Sequence, residues 1–240
     1  MLKAITFDFW NTLYKAAPYA RGLRQVFLAE ILARNQIELA QERIAAAEEV
    51  AGRQWNRLWR EDYRTAPAAD WVRWMLSELL VTLPPADFSA LANYYDQSLL
   101  EADPGPTLIE GAAESVQRLA QRYRLGIISD AGLSSGKTLR EFLRRDGLLD
   151  WFTYTTFSDE VGVSKPHTRI FQVTLDRLEA QPHEAVHIGD LTHSDIAGAK
   201  AIGMRAVRLT ANYDDANRSV EPDAVADSYA AFERWLEQQG

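Results

Sequence analysis

The stretch ITFDFWNTLY, residues 5–14, decides how the rest of the chain is read. It opens on Ile5, Thr6 and Phe7, apolar and β-branched types that favour an extended strand. The run then meets a carboxylate at Asp8 and passes through Asn11-Thr12, a pair suited to a turn. Such a segment reads as a strand that delivers one carboxylate to a loop at its carboxyl end. What lies beside that carboxylate depends on the segments that follow.

After residue 107 the chain alternates between strand and helix patterns. Residues 114–122 read as helix and RLGIIS (124–129) as an apolar strand. Residues 138–145 read as helix and FTYTTFS (152–158) as strand. Residues 168–178 read as helix, AVHIG (185–189) as strand, 194–202 as helix, and RAVRL (205–209) as strand. A last helix is expected over residues 229–237. Near-continuous apolar strands alternating with helices indicate a parallel sheet covered on both faces.

Residues 19–101 have a different texture and look wholly helical. Leu23, Phe27 and Ile31 recur at four-residue spacing. Ile44, Ala47, Ala51, Trp55, Leu58 and Trp59 form a second stripe, Trp71, Trp74, Met75 and Leu79 a third, and Phe88, Leu91, Tyr95 and Leu99 a fourth. Pro84-Pro85 separates the last two helices. Irregular Pro-bearing segments, KAAPY (15–19) and DPGPT (103–107), flank the block. Two irregular crossings around a self-contained bundle are what an inserted domain looks like, with the flanks as hinges. The expected division is residues 1–15 and 104–240 as one domain and 16–103 as the insertion.

The bulk numbers limit the function classes. A length of 240 residues accommodates a domain with an insertion. A formal charge of −8 argues against nucleic acid or an anionic membrane as partner. Cysteine is absent, which excludes disulfides, thiolate catalysis and cysteine metal sites. No apolar run approaches the roughly 20 residues that span a bilayer, and Asp8 interrupts the N-terminus too early for a signal peptide. The expectation is a cytoplasmic protein.

In parallel sheets, sites lie at the carboxyl ends of strands. Strand one ends at Asp8 and strand two at Ser129-Asp130. Ser164-Lys165-Pro166 precedes the helix after strand three. Strand four ends at Gly189-Asp190, with Asp195 on the next helical turn. If these ends meet, Asp8, Asp190 and Asp195 share a crevice with Lys165 and the hydroxyls of Thr12 and Ser129. Clustered carboxylates repel one another and need compensation. A hard divalent cation such as Mg²⁺ supplies it, bound by carboxylates together with substrate phosphate. Lys165 and the hydroxyls then suit a phosphoryl group, whose transfer is catalysed chiefly by positioning and charge stabilisation.

Four motifs in order, DFWNTL (8–13), IISDAG (127–132), SDEVGVSKPHTRIF (158–171) and HIGDLTHSDIAGAK (187–200), resemble those of the haloacid dehalogenase superfamily over nearly the whole chain. The resemblance implies a Rossmann-like three-layer α/β/α parallel-sheet core with an inserted helical-bundle cap domain. It implies Asp8 as the catalytic nucleophile, with Mg²⁺ held by Asp8, the main-chain carbonyl of Trp10, Asp190 and, directly or through water, Asp195. It implies Lys165, Ser129 and Thr12 around the transferring group, with main-chain N–H groups near Asn11 and Ala131 assisting. The implied partner is a small phosphorylated molecule, and the implied assembly a monomer or homodimer.

Departures from the family pattern sharpen the reading. Trp10 stands where a general acid/base Asp is usual, Asp130 where Asn is more usual, and Asn11 where Gly is common; Asn tolerates unusual backbone angles. An aromatic two residues after the nucleophile resembles true dehalogenases, which need no proton for the departing halide. A retained Asp190 resembles the phosphorus-directed branches, because attack by a carboxylate on a phosphate dianion needs a cation. Phosphoryl transfer is therefore the leading reading, with 2-haloacid dehalogenation and a weakly active or non-catalytic binding role as alternatives. Asp195 can also be read as a first-turn helix anion. Asp130 is open between a turn residue, a substrate-facing carboxylate and a substitute proton donor. His187 reads as core, His193 as a loop residue, and the tryptophans of residues 55–74 chiefly as core of the helical block.

Overall fold

The computed structural model describes residues 1–16 and 20–239. Ala17, Pro18 and Tyr19 of the first expected hinge lie outside the described residues. The chain begins with β1 (Ala4–Phe7), then α1 (Arg21–Arg34), α2 (Gln41–Glu61), α3 (Ala68–Leu79) and α4 (Pro85–Gln97). It continues through α5 (Ala112–Leu119), β2 (Arg124–Ser129), α6 (Gly136–Arg145), β3 (Tyr154–Phe157), α7 (Ser158–Val161) and α8 (Thr168–Arg177). It closes with β4 (Ala185–Gly189), α9 (Ala197–Ala201), β5 (Arg205–Leu209), β6 (Ala224–Ala226) and α10 (Tyr229–Glu237).

The strands form one sheet in the order β3-β2-β1-β4-β5-β6, with every pairing parallel. The two-residue period of a strand sends alternate side chains to opposite faces. Ile5, Phe7, Val186, Ile188, Val207 and Leu209 join one core together with residues of α5, α6 and α10. Ala4, Ala185 and Ala206 join a second core beneath α8 and α9, with Ile170, Phe171 and Leu175. Each large side chain buried this way contributes about 1.5–3 kcal/mol. The result is the expected three-layer sandwich. Its central strand, β1, pairs β2 on one side and β4 on the other, so the winding reverses there. Ligand crevices open at such a switch point.

Helices α1–α4 carry a separate core that includes Leu28, Ile31, Ala51, Val72, Met75, Leu79 and Leu91. The chain leaves the sheet layer and returns to it side by side. Tyr14 bridges Leu108, the Lys15 N–H donates to Thr107 O at 2.9 Å, and the Ile109 N–H donates to Leu13 O at 2.9 Å. Leu99 and Leu23, assigned by periodicity to the helical stripes, pack instead with the sheet-layer core. Helical spacing reports which residues are buried but not against what.

Three boundaries differ from expectation. β6 is a sixth strand, too short for alternation to reveal, held by the exposed edge of β5. The third strand stops at Phe157, where Ser158 opens the short α7. The helix expected over residues 194–202 begins as a π-helical turn, Thr192–Ile196, before α9. Such wide turns concentrate at functional sites. No helix among the described residues is long and apolar enough to cross a membrane.

Candidate active site

β1 and β4 lie side by side, so the residues that follow them, Asp8 and Asp190, flank the switch point. The Asp8 N–H donates to Ile188 O at 2.9 Å, extending the ladder one residue past the strand. The loop then folds tightly: the Leu13 and Tyr14 N–H groups both donate to Phe9 O, at 2.9 and 2.8 Å. Asn11 sits at φ +54°, a left-handed conformation that asparagine accepts at low cost. The Tyr229 hydroxyl, on α10, donates to Thr12 O at 2.7 Å and pins the loop from below.

Four charged groups converge. Asp8 is 6% exposed, Lys165 3%, Asp190 1% and Asp195 0%. Lys165 Nζ donates to Asp8 Oδ1 at 2.5 Å and to Asp195 Oδ1 at 2.6 Å. Burial works against the ammonium, but Asp195, Asp8 and Asp130 outweigh it and hold Lys165 above the ordinary lysine range. Burial also pushes Asp195 up, and Lys165 and His187 more than reverse that, leaving it below the usual carboxylate range. Asp195 has no idle oxygen. Oδ1 accepts from Lys165 and His187 Nε2 (3.2 Å), and Oδ2 from the Leu191 N–H (2.9 Å) and the Ser194 hydroxyl (3.5 Å). Gly189 makes room for this carboxyl, since a Cβ there would overlap it.

His187 is fully buried in β4, as expected of core, yet it belongs to the charge network. Burial lowers its proton affinity. Because Asp195 can only accept, Nε2 carries the proton and Nδ1 accepts from the Thr6 hydroxyl at 2.9 Å. A single polar residue in an otherwise apolar strand was the available sign of this role.

Asp8, Asp190 and Asp195 each offer an oxygen within 4.8 Å of the others. With the one ammonium they carry a formal charge of −2 when all are ionised. Burial raises Asp8 to about 6, Lys165 opposing and Asp195 adding to the shift. Burial, then Asp195 and Asp8, raises Asp190 to about 8. Among the described residues Asp190 bonds the Asn11 side-chain amide, which donates to Oδ2 at 3.1 Å. Asn212 in turn donates to Asn11 Oδ1 at 2.8 Å. An under-compensated, all-oxygen cluster of this charge fits a hard divalent cation.

The hydroxyls of Thr12 and Ser129 are fully buried and lack a partner among the described residues. Unpaired buried hydroxyls cost stability unless a ligand satisfies them. The main-chain N–H groups expected to assist are engaged inside the protein: Ala131 donates to Ser158 Oγ at 2.9 Å and Asn11 to Tyr14 O at 2.6 Å. Trp10 is half-buried, its ring edge-on to Phe9 at 4.9 Å. Asp130 has both oxygens engaged by N–H donors. Its Oδ1 accepts the Lys165 main-chain N–H at 2.9 Å and its Oδ2 the Trp59 indole N–H at 2.8 Å. Trp59 has left the bundle core for this contact, and His193 meets its ring edge-on at 5.0 Å. Trp59, Thr65, Ser158 and Asn212 were not legible as neighbours of the site, because their contacts join segments distant in the chain.

The site thus sets an aspartate at the switch point, paired to a buried lysine and backed by two further aspartates. The family model for haloacid dehalogenase-like hydrolases matches residues 2–203, and the chain belongs to that family. A glyceraldehyde 3-phosphate phosphatase of Methanothermobacter thermautotrophicus is 26% identical over 223 residues, covering 91% of this chain and 90% of that one. A Pyrococcus furiosus protein of the same description is 39% identical over 100 residues, a match that spans 41% of this chain and 40% of that relative's length. A 2-haloacid dehalogenase from Pseudomonas syringae pv. Tomato DC3000 shares the fold at a TM-score of 0.75 and 23% identity, covering 100% of both chains.

Proposed function

We propose that this hydrolase is a phosphatase acting on a small phosphorylated metabolite. The observation that carries the reading is the carboxylate cluster around Lys165, and the buried hydroxyls of Thr12 and Ser129, without a partner among the described residues, support it. The two relatives described as glyceraldehyde 3-phosphate phosphatases support it. In this reading Asp8 attacks phosphorus, a bond forms between its carboxylate oxygen and phosphorus, and the bond from phosphorus to the leaving-group oxygen breaks. Water then attacks the aspartyl phosphate at phosphorus, releasing inorganic phosphate and returning Asp8. Lys165, Thr12 and Ser129 hold the phosphoryl oxygens. Asp8, Asp190 and the Trp10 carbonyl would hold Mg²⁺, which when bound would supply positive charge that offsets repulsion between carboxylate and phosphate. Asp195, with both oxygens engaged, orients Lys165. Residues 16–103 act as the cap that shelters this chemistry.

The test is phosphate release from an activated aryl phosphate and from glyceraldehyde 3-phosphate, with Mg²⁺ and with EDTA. Metal-dependent release is expected, much faster from the aryl phosphate than from glyceraldehyde 3-phosphate, whose leaving group is an alkoxide. Trp10 favours one rival, dehalogenation, so chloride release from 2-chloropropionate is measured alongside. Chloride release that persists in EDTA, without phosphate release, would replace this reading.

The cluster also sets a pH dependence. A cation competes with protons for Asp8 and Asp190, raised to about 6 and about 8. Mg²⁺ affinity is therefore expected to tighten as pH rises from 6 to 8, by up to about tenfold per unit for each proton displaced, and to level off above. The same shifts act on stability. A carboxyl raised in the folded state stabilises fully below its unfolded value of about 3.9 and loses that contribution as pH rises through its folded value. The metal-free thermal midpoint should fall between about pH 4 and 8 and level off above, and Mg²⁺ should restore it. The opposing shifts of Asp195 and Lys165 act below and above this window. Calorimetric titration across pH checks the affinity, and a flat profile would remove the proposed ligand set.

A further inference from the structure

We propose that Trp59 is a positioning residue for Lys165, acting through Asp130. The inference rests on the reading of Lys165 and Asp8 as the reacting centre. Trp59 lies near the end of α2, in the inserted helical block. Its indole N–H donates to Asp130 Oδ2 at 2.8 Å, while Asp130 Oδ1 accepts the main-chain N–H of Lys165 at 2.9 Å. The side chain of that same lysine bridges Asp8 and Asp195. A line of hydrogen bonds thus runs from the helical block to the backbone that carries the ammonium.

The chemistry of the pair explains why residue 130 is a carboxylate. A carboxylate accepts at both oxygens and takes one N–H on each. An amide has a single acceptor oxygen, and its NH₂ would face either the indole or the lysine N–H, donor against donor. The indole is held for the contact: it stacks on Trp55 at 5.7 Å, and Arg60 lies over it at 5.2 Å. The residues just beyond close the same seam. The Ser164 N–H donates to Tyr63 O at 2.6 Å. Thr65 Oγ1 bonds Ser164 Oγ at 2.8 Å and Ser158 Oγ at 2.5 Å, and Ser158 Oγ accepts from the Ala131 N–H. Residues 59–65 therefore tie down both loops that bracket Lys165.

Three variants of the full chain decide it: Trp59→Phe, Asp130→Asn and the double variant. Trp59→Phe keeps an aromatic ring and removes the donor. Asp130→Asn keeps a carbonyl for one N–H only, and it carries the test should Trp59→Phe fail to fold. Amide hydrogen exchange at Lys165 is expected to rise about tenfold or more in each single variant and no further in the double, with β1 unchanged. With aryl phosphate and Mg²⁺, kcat should fall roughly ten- to a hundredfold, the scale of small misplacements in a reacting site, with KM within about twofold. Unchanged exchange at Lys165 would overturn the proposal. So would a raised KM at constant kcat, which marks a residue that only lines the cleft, or losses that multiply in the double variant, which mark independent actions. Exchange does not depend on turnover. Should the wild type release no phosphate, the phosphatase reading falls and the exchange pattern alone upholds or overturns the role of Trp59.

Discussion

Asp8→Asn is expected to abolish phosphate release, by about 10⁴-fold or more, the scale on which removal of a covalent nucleophile is felt. The amide is near-isosteric and can still accept from Lys165 Nζ through its oxygen, so the geometry at 2.5 Å can persist. What disappears is the charge and the nucleophilic oxygen. The fold should not suffer. Burial raises Asp8 to about 6, so its ionised form costs stability above that pH, and the neutral amide relieves the cost. The thermal midpoint of metal-free Asp8→Asn at pH 8 is therefore expected to equal or exceed that of the wild type. Phosphate release and a thermal scan on one preparation separate the two effects. Retained turnover in a folded Asp8→Asn protein would remove Asp8 from the nucleophile role, and BeF₃⁻ with Mg²⁺ should then stabilise both proteins equally instead of the wild type alone.

The second large effect belongs to Trp10. An indole only donates a hydrogen bond and has no acid–base chemistry near neutral pH. General acid catalysis is typically worth about 10²–10⁴-fold, and an alkoxide leaving group needs it while a phenolate or acyl group needs it far less. The wild type is accordingly expected to hydrolyse aryl or acyl phosphates well and alkyl phosphates poorly. Trp10→Asp should raise alkyl phosphate turnover by up to that factor of about 10²–10⁴ and leave aryl turnover within a few-fold. Trp10 packs edge-on to Phe9, so the substitution also costs packing. The alkyl-to-aryl ratio, measured on one sample, is independent of the folded fraction and is the quantity to compare. An unchanged ratio would show that the missing acid is supplied elsewhere. Asp130 is poorly arranged for that task, because each of its oxygens already accepts an N–H.

The chemistry-bearing residues were legible because strand ends in a parallel sheet converge on one edge. Asp8, Lys165 and Asp190 each end or follow a strand pattern, and they converge beside the switch point of the sheet. Asp195 was legible as a carboxylate near the site but not as the residue that holds Lys165, since the π-helical turn presenting it has no local signature. β6 was missed for a related reason: three residues carry too little periodicity, and the edge of β5 supplies the pairing.

The sequence by itself determined the layers and the inventory of charged groups, because hydrophobic period and motif spacing are local properties of the chain. Only the tertiary structure decided the partners. Trp59 reads as one more tryptophan at helical spacing until it reaches Asp130, 71 residues away. His187 reads as core until it meets Asp195. Whether a buried polar atom is structural or part of a site depends on which donor or acceptor faces it, and that is set by packing between segments distant in the chain.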